Sequence, residues 1–309
     1  MSVRNIGYCC INLTVGHLKT SRDIKKATWL TPVGIELAVD CGIKNAIDIL
    51  EILKWNELYG IKSYRMSSNL LPWMSEYEIC DLPRFDELHQ AYKNIGNYVK
   101  LHNHRVTFHP GHFNVIASLR EDVVQKSIID LSRHGEIMDL MGLDRSPFYA
   151  INIHINSLQP SKPEACERFV QTFSGLPLCV TSRLTLENDD SPNQYGVQDL
   201  YDGICKFIKV PIVLDFLHYE YGPDCNSKLP EMMSLAFSTW GNITPLTHMS
   251  STRQLEEPKA RKIAHADYIY NLIPEHQQDF DCELECKAKD LALFKYQNEL
   301  QNLAHLILK

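Results

Sequence analysis

Short apolar runs alternate along this chain with longer stretches whose apolar residues recur every three or four positions. The runs Asn5–Ile11, Lys62–Ser67, Arg105–His109, Tyr149–Ile155, Arg183–Glu187, Pro211–Phe216, Thr244–Met249 and Asp281–Cys286 are mostly rich in Val, Ile, Tyr, Phe or Thr. They read as strands of the kind buried on both faces of a parallel sheet. Ala46–Tyr59 directs Ile47, Leu50 and Leu53 toward one side, and Arg84–Leu101 and Asp122–Met141 share that spacing, so all three read as helices. Asp40, Pro83 and Pro163 stand where helices begin. The stretch LLPWMSEYEICDLP, residues 70–83, reads as a long loop, and Asp290–Ile307 as an amphipathic terminal helix.

Eight strands separated by helices predict an α/β protein, a single (β/α)8 TIM barrel over residues 1–309 with a C-terminal helical stretch at about 290–307. A doubly wound open sheet is the alternative. No GxGxxG follows the first strand, which argues against a dinucleotide-binding version, and no GxxxxGK[ST] motif occurs.

With 44% hydrophobic residues the 309-residue chain is long enough to bury a sizeable core. No apolar run approaches the ~20 residues that span a bilayer, and the opening MSVRNIGYCCINL lacks a secretory pattern. An intracellular, non-secreted monomer without a membrane partner is expected. The ten cysteines form no CxxC pair, so free thiols in a reducing compartment are expected rather than a structural zinc site. The net charge of −7 argues against a nucleic-acid binder that uses its whole surface. It leaves room for a local basic cleft, or for bound cations that add positive charge where phosphate sits.

Candidate chemistry lies at the carboxyl ends of the later strands. His109 and His112 end the third, His154 the fourth, Glu187 with Asp189 and Asp190 the fifth, Asp215 and His218 the sixth, His248 the seventh and Glu285 the eighth, while His265 follows the seventh. A parallel barrel brings all its strand ends to one rim. A histidine taken singly reads as a hydrogen-bonded core residue. A carboxylate inside an apolar strand is costly without a partner, and recurrence at one strand end after another points to a metal site. Mixed imidazole and carboxylate ligands suit Mn, Fe or Zn rather than Ca. Carboxylates such as Glu187, Asp215 and Glu285 can bridge ions, and such a site suits phosphoryl chemistry. Trp29, Trp55, Trp73 and Trp240 read as packing residues, with base stacking the alternative for Trp73. Arg65, Lys287 and Lys289 are candidate phosphate contacts.

Several ordered motifs carry a resemblance. Gly7-Tyr8-Cys9-Cys10-Ile11-Asn12-Leu13, Tyr64-Arg65-Met66-Ser67-Ser68-Asn69-Leu70-Leu71-Pro72, Phe108-His109-Pro110-Gly111, Ile153-His154 and Leu186-Glu187-Asn188-Asp189-Asp190 come first. Leu214-Asp215-Phe216-Leu217-His218, Thr247-His248-Met249-Ser250-Ser251, His265-Ala266-Asp267-Tyr268 and Glu285-Cys286-Lys287-Ala288-Lys289-Asp290 follow. Together, from about Asn5 to about Asp290, they resemble the UV damage endonuclease family. The resemblance implies a TIM barrel akin to endonuclease IV and xylose isomerase. It also implies two or three divalent ions, typically Mn2+, with Zn2+, Co2+ or Mg2+ as substitutes. The implied activity is a DNA repair endonuclease that incises damaged double-stranded DNA 5′ to UV photoproducts, and at some abasic sites, leaving a 3′-hydroxyl and a 5′-phosphate.

The implied metal ligands are His109, His154, Glu187, Asp215, His218, His248, His265 and Glu285, with Glu187, Glu285 and Asp215 at the catalytic core. Tyr8 and Asn12 match positions near the damaged nucleotides. His112-Phe113 stands where relatives commonly probe the lesion with Gln followed by Tyr or Phe, which keeps an aromatic ring but replaces an amide by an imidazole. Leu246 stands where many relatives have a Lys near the metals, so metal number or affinity is open to change. A metal-dependent sugar isomerase or epimerase on the same barrel, and a damage-binding protein with impaired catalysis, are the alternatives.

Overall fold

The computed structural model describes residues 3–307. Strands form where the apolar runs predict them: β1 Val3–Cys9, β2 Ser63–Arg65, β3 Arg105–Thr107, β4 Ile151–Ile153, β5 Leu184–Glu187, β6 Ile212–Asp215, β7 Leu246–Met249 and β8 Phe280–Leu284. Every pairing is parallel, in the order β3-β2-β1-β8-β7-β6-β5-β4. The sheet closes into a (β/α)8 barrel through a parallel bridge between Phe108 and Ile151. There Phe108 N donates to Ala150 O at 2.8 Å and Asn152 N to Phe108 O at 2.9 Å.

Alternation along each strand divides the side chains between two environments. Tyr8, Tyr64, Val106, Ile151, Ile153, Leu184, Leu186, Ile212, Leu214, Cys282 and Leu284 join a core with crossover-helix residues such as Ile49, Leu53, Leu88, Ile95, Leu131 and Ile137. Most of the intervening positions are polar and nonetheless buried: Ser63, Arg105, Thr107, Asn152, Thr185, Glu187, Asp215, His248, Asp281 and Glu283. Gly7 permits the tight β1–β2 approach, since a Cβ there would lie 2.1 Å from Ser63 O.

At the amino-terminal end, Arg105 plugs the barrel. Its guanidinium lies 3.0 Å from Asp281, donates to Phe148 O and Thr244 O, and covers the rings of Phe148 and Trp240 at 4.8 and 5.2 Å. Leu246, level with Asp281 in the β7–β8 register, packs with Ala150, Val213 and Trp240 in a small apolar layer. His248 lies two residues further toward the carboxyl rim, so Leu246 is a floor beneath the polar cluster.

Helices follow the spacing, with one large difference. The first long helix is Gly34–Leu58, so it begins well before Ala46, and Asp40 lies inside it instead of starting it. It has no side-chain cap, and its early turns mix buried Ala38 and Val39 with exposed Val33 and Leu37. A capping signal is therefore absent. Helices Phe85–Leu101 and Glu121–Leu140 match expectation, and Lys162–Phe173 starts with Ser161 as cap and Pro163 in its first turn. The loop 70–83 holds two short 3-10 turns, Met74–Glu76 and Ile79–Asp81. Trp73 stacks on Trp29 and donates to Ile24 O at 3.0 Å, a packing role. The last helix, Lys289–Ile307, places Ala292, Leu293 and Tyr296 in the core. All ten cysteines are free. No helix among the described residues is long and apolar enough to cross a membrane.

Candidate metal centre

Glu187 ends β5 inside the barrel and is fully buried. Four histidines from four other strand ends converge on it. His109 Nε2 and His248 Nδ1 each lie 3.1 Å from Glu187 Oε2, His218 Nδ1 lies 3.2 Å from Oε1, and His154 Nε2 is 3.8 Å from Oε2. Glu285 adds a carboxylate, its Oε1 3.5 Å from His248 Nδ1. Two metal-capable groups result, His109–Glu187–His248–Glu285 and His154–Glu187–His218, with Glu187 common to both.

These atoms are close without satisfying one another. Glu187 Oε1, both ring nitrogens of His248 and Asp215 Oδ2 are buried and make no hydrogen bond. Buried polar groups of native proteins are almost always paired. Orphaned imidazole nitrogens and carboxylate oxygens facing common points fit divalent cations placed between them, and the mixed nitrogen and oxygen donors suit Mn, Fe or Zn.

The surroundings fix the orientation of these groups. Asn152 Nδ2 donates to Glu187 Oε2, and Thr185 Oγ1 donates to Asn152 Oδ1 at 2.9 Å. Asp189 Oδ1 lies 3.1 Å from His154 Nδ1, Asn188 O 2.9 Å from His218 Nδ1, and Ser250 Oγ 2.7 Å from His265 Nδ1. In His154 and His265 the contact occupies Nδ1 and leaves Nε2 toward the carboxylates, as outer partners of metal-bound histidines do, while in His218 it fixes the ring beside Glu187.

Charges are strongly coupled here. Burial pushes the Glu187 carboxyl up, but the His248, His154, His109 and His218 rings around it hold it well below the usual carboxylate range. Burial opposes protonation of His248, yet Glu187, Glu283 and Glu285 push it up to about 10. Asp215 is raised by burial, with Glu285 and Glu187 adding to that and His218 opposing it.

Not every expected residue joins the cluster. Asp215 and His265 stand outside both groups. Asp215 Oδ1 caps the turn into the next helix by accepting from His218 N at 2.7 Å, and His265 Nε2 is 3.7 Å from Glu285 Oε2. Tyr8 and Asn12 are fully buried instead of lining a pocket. Asn12 Nδ2 donates to Tyr8 Oη, which donates to Asn56 Oδ1, both at 2.8 Å. This relay holds the loop after β1. Arg65 is likewise committed inward, to Glu285. His112, Phe113 and Lys287 are exposed, and Lys289 is half-buried with a left-handed backbone. Phe113 borders a cavity of about 450 Å3 beside the cluster, lined also by Ser68, Trp73, His109, Asp130 and His134.

Glu283 is an addition to the expected set. It is buried, accepts from Thr107 Oγ1 at 2.9 Å and Ser63 Oγ at 3.2 Å, and lies 3.7 Å from His248 Nε2. Period-two alternation is the available signal, because Glu283 shares the face of Glu285, as Asn152 shares that of His154.

The chain matches the family model for "UV-endonuclease UvdE" over residues 4–307. A UV DNA damage endonuclease of Bacillus cereus (strain B4264) is 32% identical over 267 residues, covering 83% of this chain and 81% of the relative. The crystal structure of SacUVDE aligns with a TM-score of 0.84 and 28% identity, over 97% of this chain and 99% of that one. Endonuclease IV from Thermus thermophilus shares the fold, with a TM-score of 0.55 at 13% identity over 96% and 99% of the two chains.

Proposed function

The chain belongs to the UV-endonuclease UvdE family, and on that premise we propose that its rim cluster holds at least two divalent cations, Mn2+ first among them, and nicks damaged duplex DNA 5′ to UV photoproducts. The products are a 3′-hydroxyl and a 5′-phosphate, and abasic sites are a second class of substrate. The supporting observation is the convergence of orphaned buried donors on Glu187.

Glu187, His109, His248 and Glu285 would hold one cation, and Glu187, His154 and His218 the second. Asp215, through its free Oδ2, and His265, through Nε2, are the ligand supply for a third. Bound there, the cations supply a nucleophile from water at neutral pH and neutralise the departing 3′-oxygen.

The remaining work falls to the chain. Asn152 fixes the rotation of Glu187. Asp189, the Asn188 carbonyl and Ser250 set the rings of His154, His218 and His265. Glu283 faces the far nitrogen of His248 and steadies that ring. Arg65 holds Glu285 at the mouth of the barrel and offsets part of the carboxylate charge. His112 and Phe113, exposed on the loop after β3, meet the duplex beside the cluster. A lesion that weakens stacking lowers the cost of unstacking the nucleotides they press on.

Nicking of a UV-irradiated duplex, with Mn2+ and with EDTA, tests this reading. A single nick 5′ to the photoproduct is expected with Mn2+ and none with EDTA. Binding of the lesion without any cut in Mn2+, Co2+ or Mg2+ would overturn it.

A further inference from the structure

Between β7 and β8 the chain leaves the rim and returns through a closed hairpin. Thr252 and His265 form an antiparallel bridge at its feet. Arg253 N donates to Ala264 O at 2.7 Å and Ala266 N to Ser251 O at 2.8 Å. The tip is closed as well: Ala260 N donates to Glu257 O, Ala264 N to Arg261 O, and Gln254 Nε2 to Ala260 O, at 2.9, 3.0 and 2.9 Å. Lys287 N donates to Ala266 O at 3.0 Å and ties the hairpin to the end of β8. This excursion is therefore a built projection beside the metal centre.

Its charge is uneven. Residues 252–265 contain four basic side chains, Arg253, Lys259, Arg261 and Lys262, against two acids, Glu256 and Glu257, an excess of two in a chain of net charge −7. Both acids are used internally. Glu257 pairs with Arg253 at 2.6 Å, while Glu256 accepts from Asp267 N, Tyr268 N and Tyr270 Oη. Arg253 is spent on Glu257 and on Asp267 at 2.9 Å. Lys259, Arg261 and Lys262 remain, and no described acidic residue pairs with any of them. Lys287, also exposed, stands close enough to hold the Glu257 carboxyl down, after Arg253. An acidic protein thus carries an uncompensated cationic tip at the rim where its cluster opens.

We infer that Lys259, Arg261 and Lys262 grip the phosphate backbone of the duplex, independently of sequence and of the lesion. This rests on the reading of the substrate as duplex DNA. Four consecutive residues reach at most ~14 Å, which spans roughly three to four nucleotides at ~3.4 Å of rise each. Such contacts place the strand while the cluster and the loop after β3 discriminate damage.

Affinity of the Mn2+-loaded protein for an undamaged duplex, measured by fluorescence anisotropy across a salt series, tests the inference. Lys259→Ala/Arg261→Ala/Lys262→Ala should bind about tenfold or more weakly at ~0.1 M salt. The slope of log K against log salt should flatten by about 2 to 3, since each lost phosphate contact removes roughly 0.9. Bound Mn2+ should be unchanged, and KM for nicking a UV-irradiated duplex should rise. Lys54→Ala/Lys100→Ala/Lys209→Ala removes the same charge near the ends of the helices Gly34–Leu58 and Phe85–Leu101 and from the segment just before β6, on the amino-terminal side of the barrel, and should leave the slope near wild type. An unchanged slope in the hairpin variant, or equal flattening in the control, overturns the inference. If the alanine variant melts early, glutamine at the same three positions gives the same readout. The salt slope needs no cutting, so absence of nicking by the wild type would refute the endonuclease reading separately.

Discussion

Glu187 holds four imidazoles together, and the ion pairs around it set how the centre responds to protons and to substitution. With His248 pushed up to about 10, the metal-free cluster carries a proton that a cation must displace. Below that value His248 is protonated without metal, so metal binding releases a proton and affinity rises with pH. Isothermal titration with Mn2+ should show apparent affinity increasing at least about tenfold per unit between about pH 6 and about pH 8. A flat profile would mean that metal binding displaces no proton from His248. Glu187→Gln removes the carboxylate shared by both groups. It should bind less Mn2+ by elemental analysis and cut a UV-irradiated duplex about a hundredfold more slowly or worse, with a native circular dichroism spectrum. Retained cutting would remove Glu187 from the centre. At this scale the sequence exposes the ligand types but not their partners. Tyr8 and Asn12 stand at positions that suggest contact with nucleotides, yet they turn inward, because Asn12 donates to Tyr8 and Tyr8 to Asn56 in the helix Gly34–Leu58.

Strands are the most legible elements. Their apolar runs are short and bounded, and most of the later ones place a histidine or carboxylate at the carboxyl end. The start of the helix Gly34–Leu58 is poorly legible, since Val33 offers no side-chain cap, Pro32 stands before the helix and not in its first turn, and its first turns are half exposed. Glu283 is hidden for a related reason: Glu285, nearer the rim, draws the metal reading, and only the register of β8 puts both on the inner face. Within β7, Leu246 fills the floor of the barrel with Ala150, Val213 and Trp240. Its role is packing, so Leu246→Ala should cost about 2 to 5 kcal/mol of stability, read as a lower urea midpoint. Bound Mn2+ should hold at wild-type stoichiometry. Loss of metal at unchanged stability would instead make Leu246 part of the centre.

At the scale of the whole molecule, the proposed reading reconciles an acidic surface with a DNA substrate, because cations in the cluster and the hairpin tip would concentrate positive charge where the duplex would lie. The fold class is readable from strand and helix order, but the place where the ring closes is not, because a bridge of two hydrogen bonds leaves no mark in a sequence. That bridge, between Phe108 and Ile151, runs beneath the two histidines that continue β3 and β4. His109 and His154 both reach across to Glu187. Cations held there would act as a clasp over the seam of the barrel. Stripping the metal with EDTA should therefore speed amide hydrogen exchange at Phe108 and Asn152, whose N–H groups make the two closing bonds. Exchange at Gly7 and Tyr8, inside the long β1–β8 ladder, should change little. Equal acceleration at both places would show that the metal stabilises the barrel generally. Preferential loosening at the seam would mean that this protein reports its own metal loading in the tightness of its weakest join.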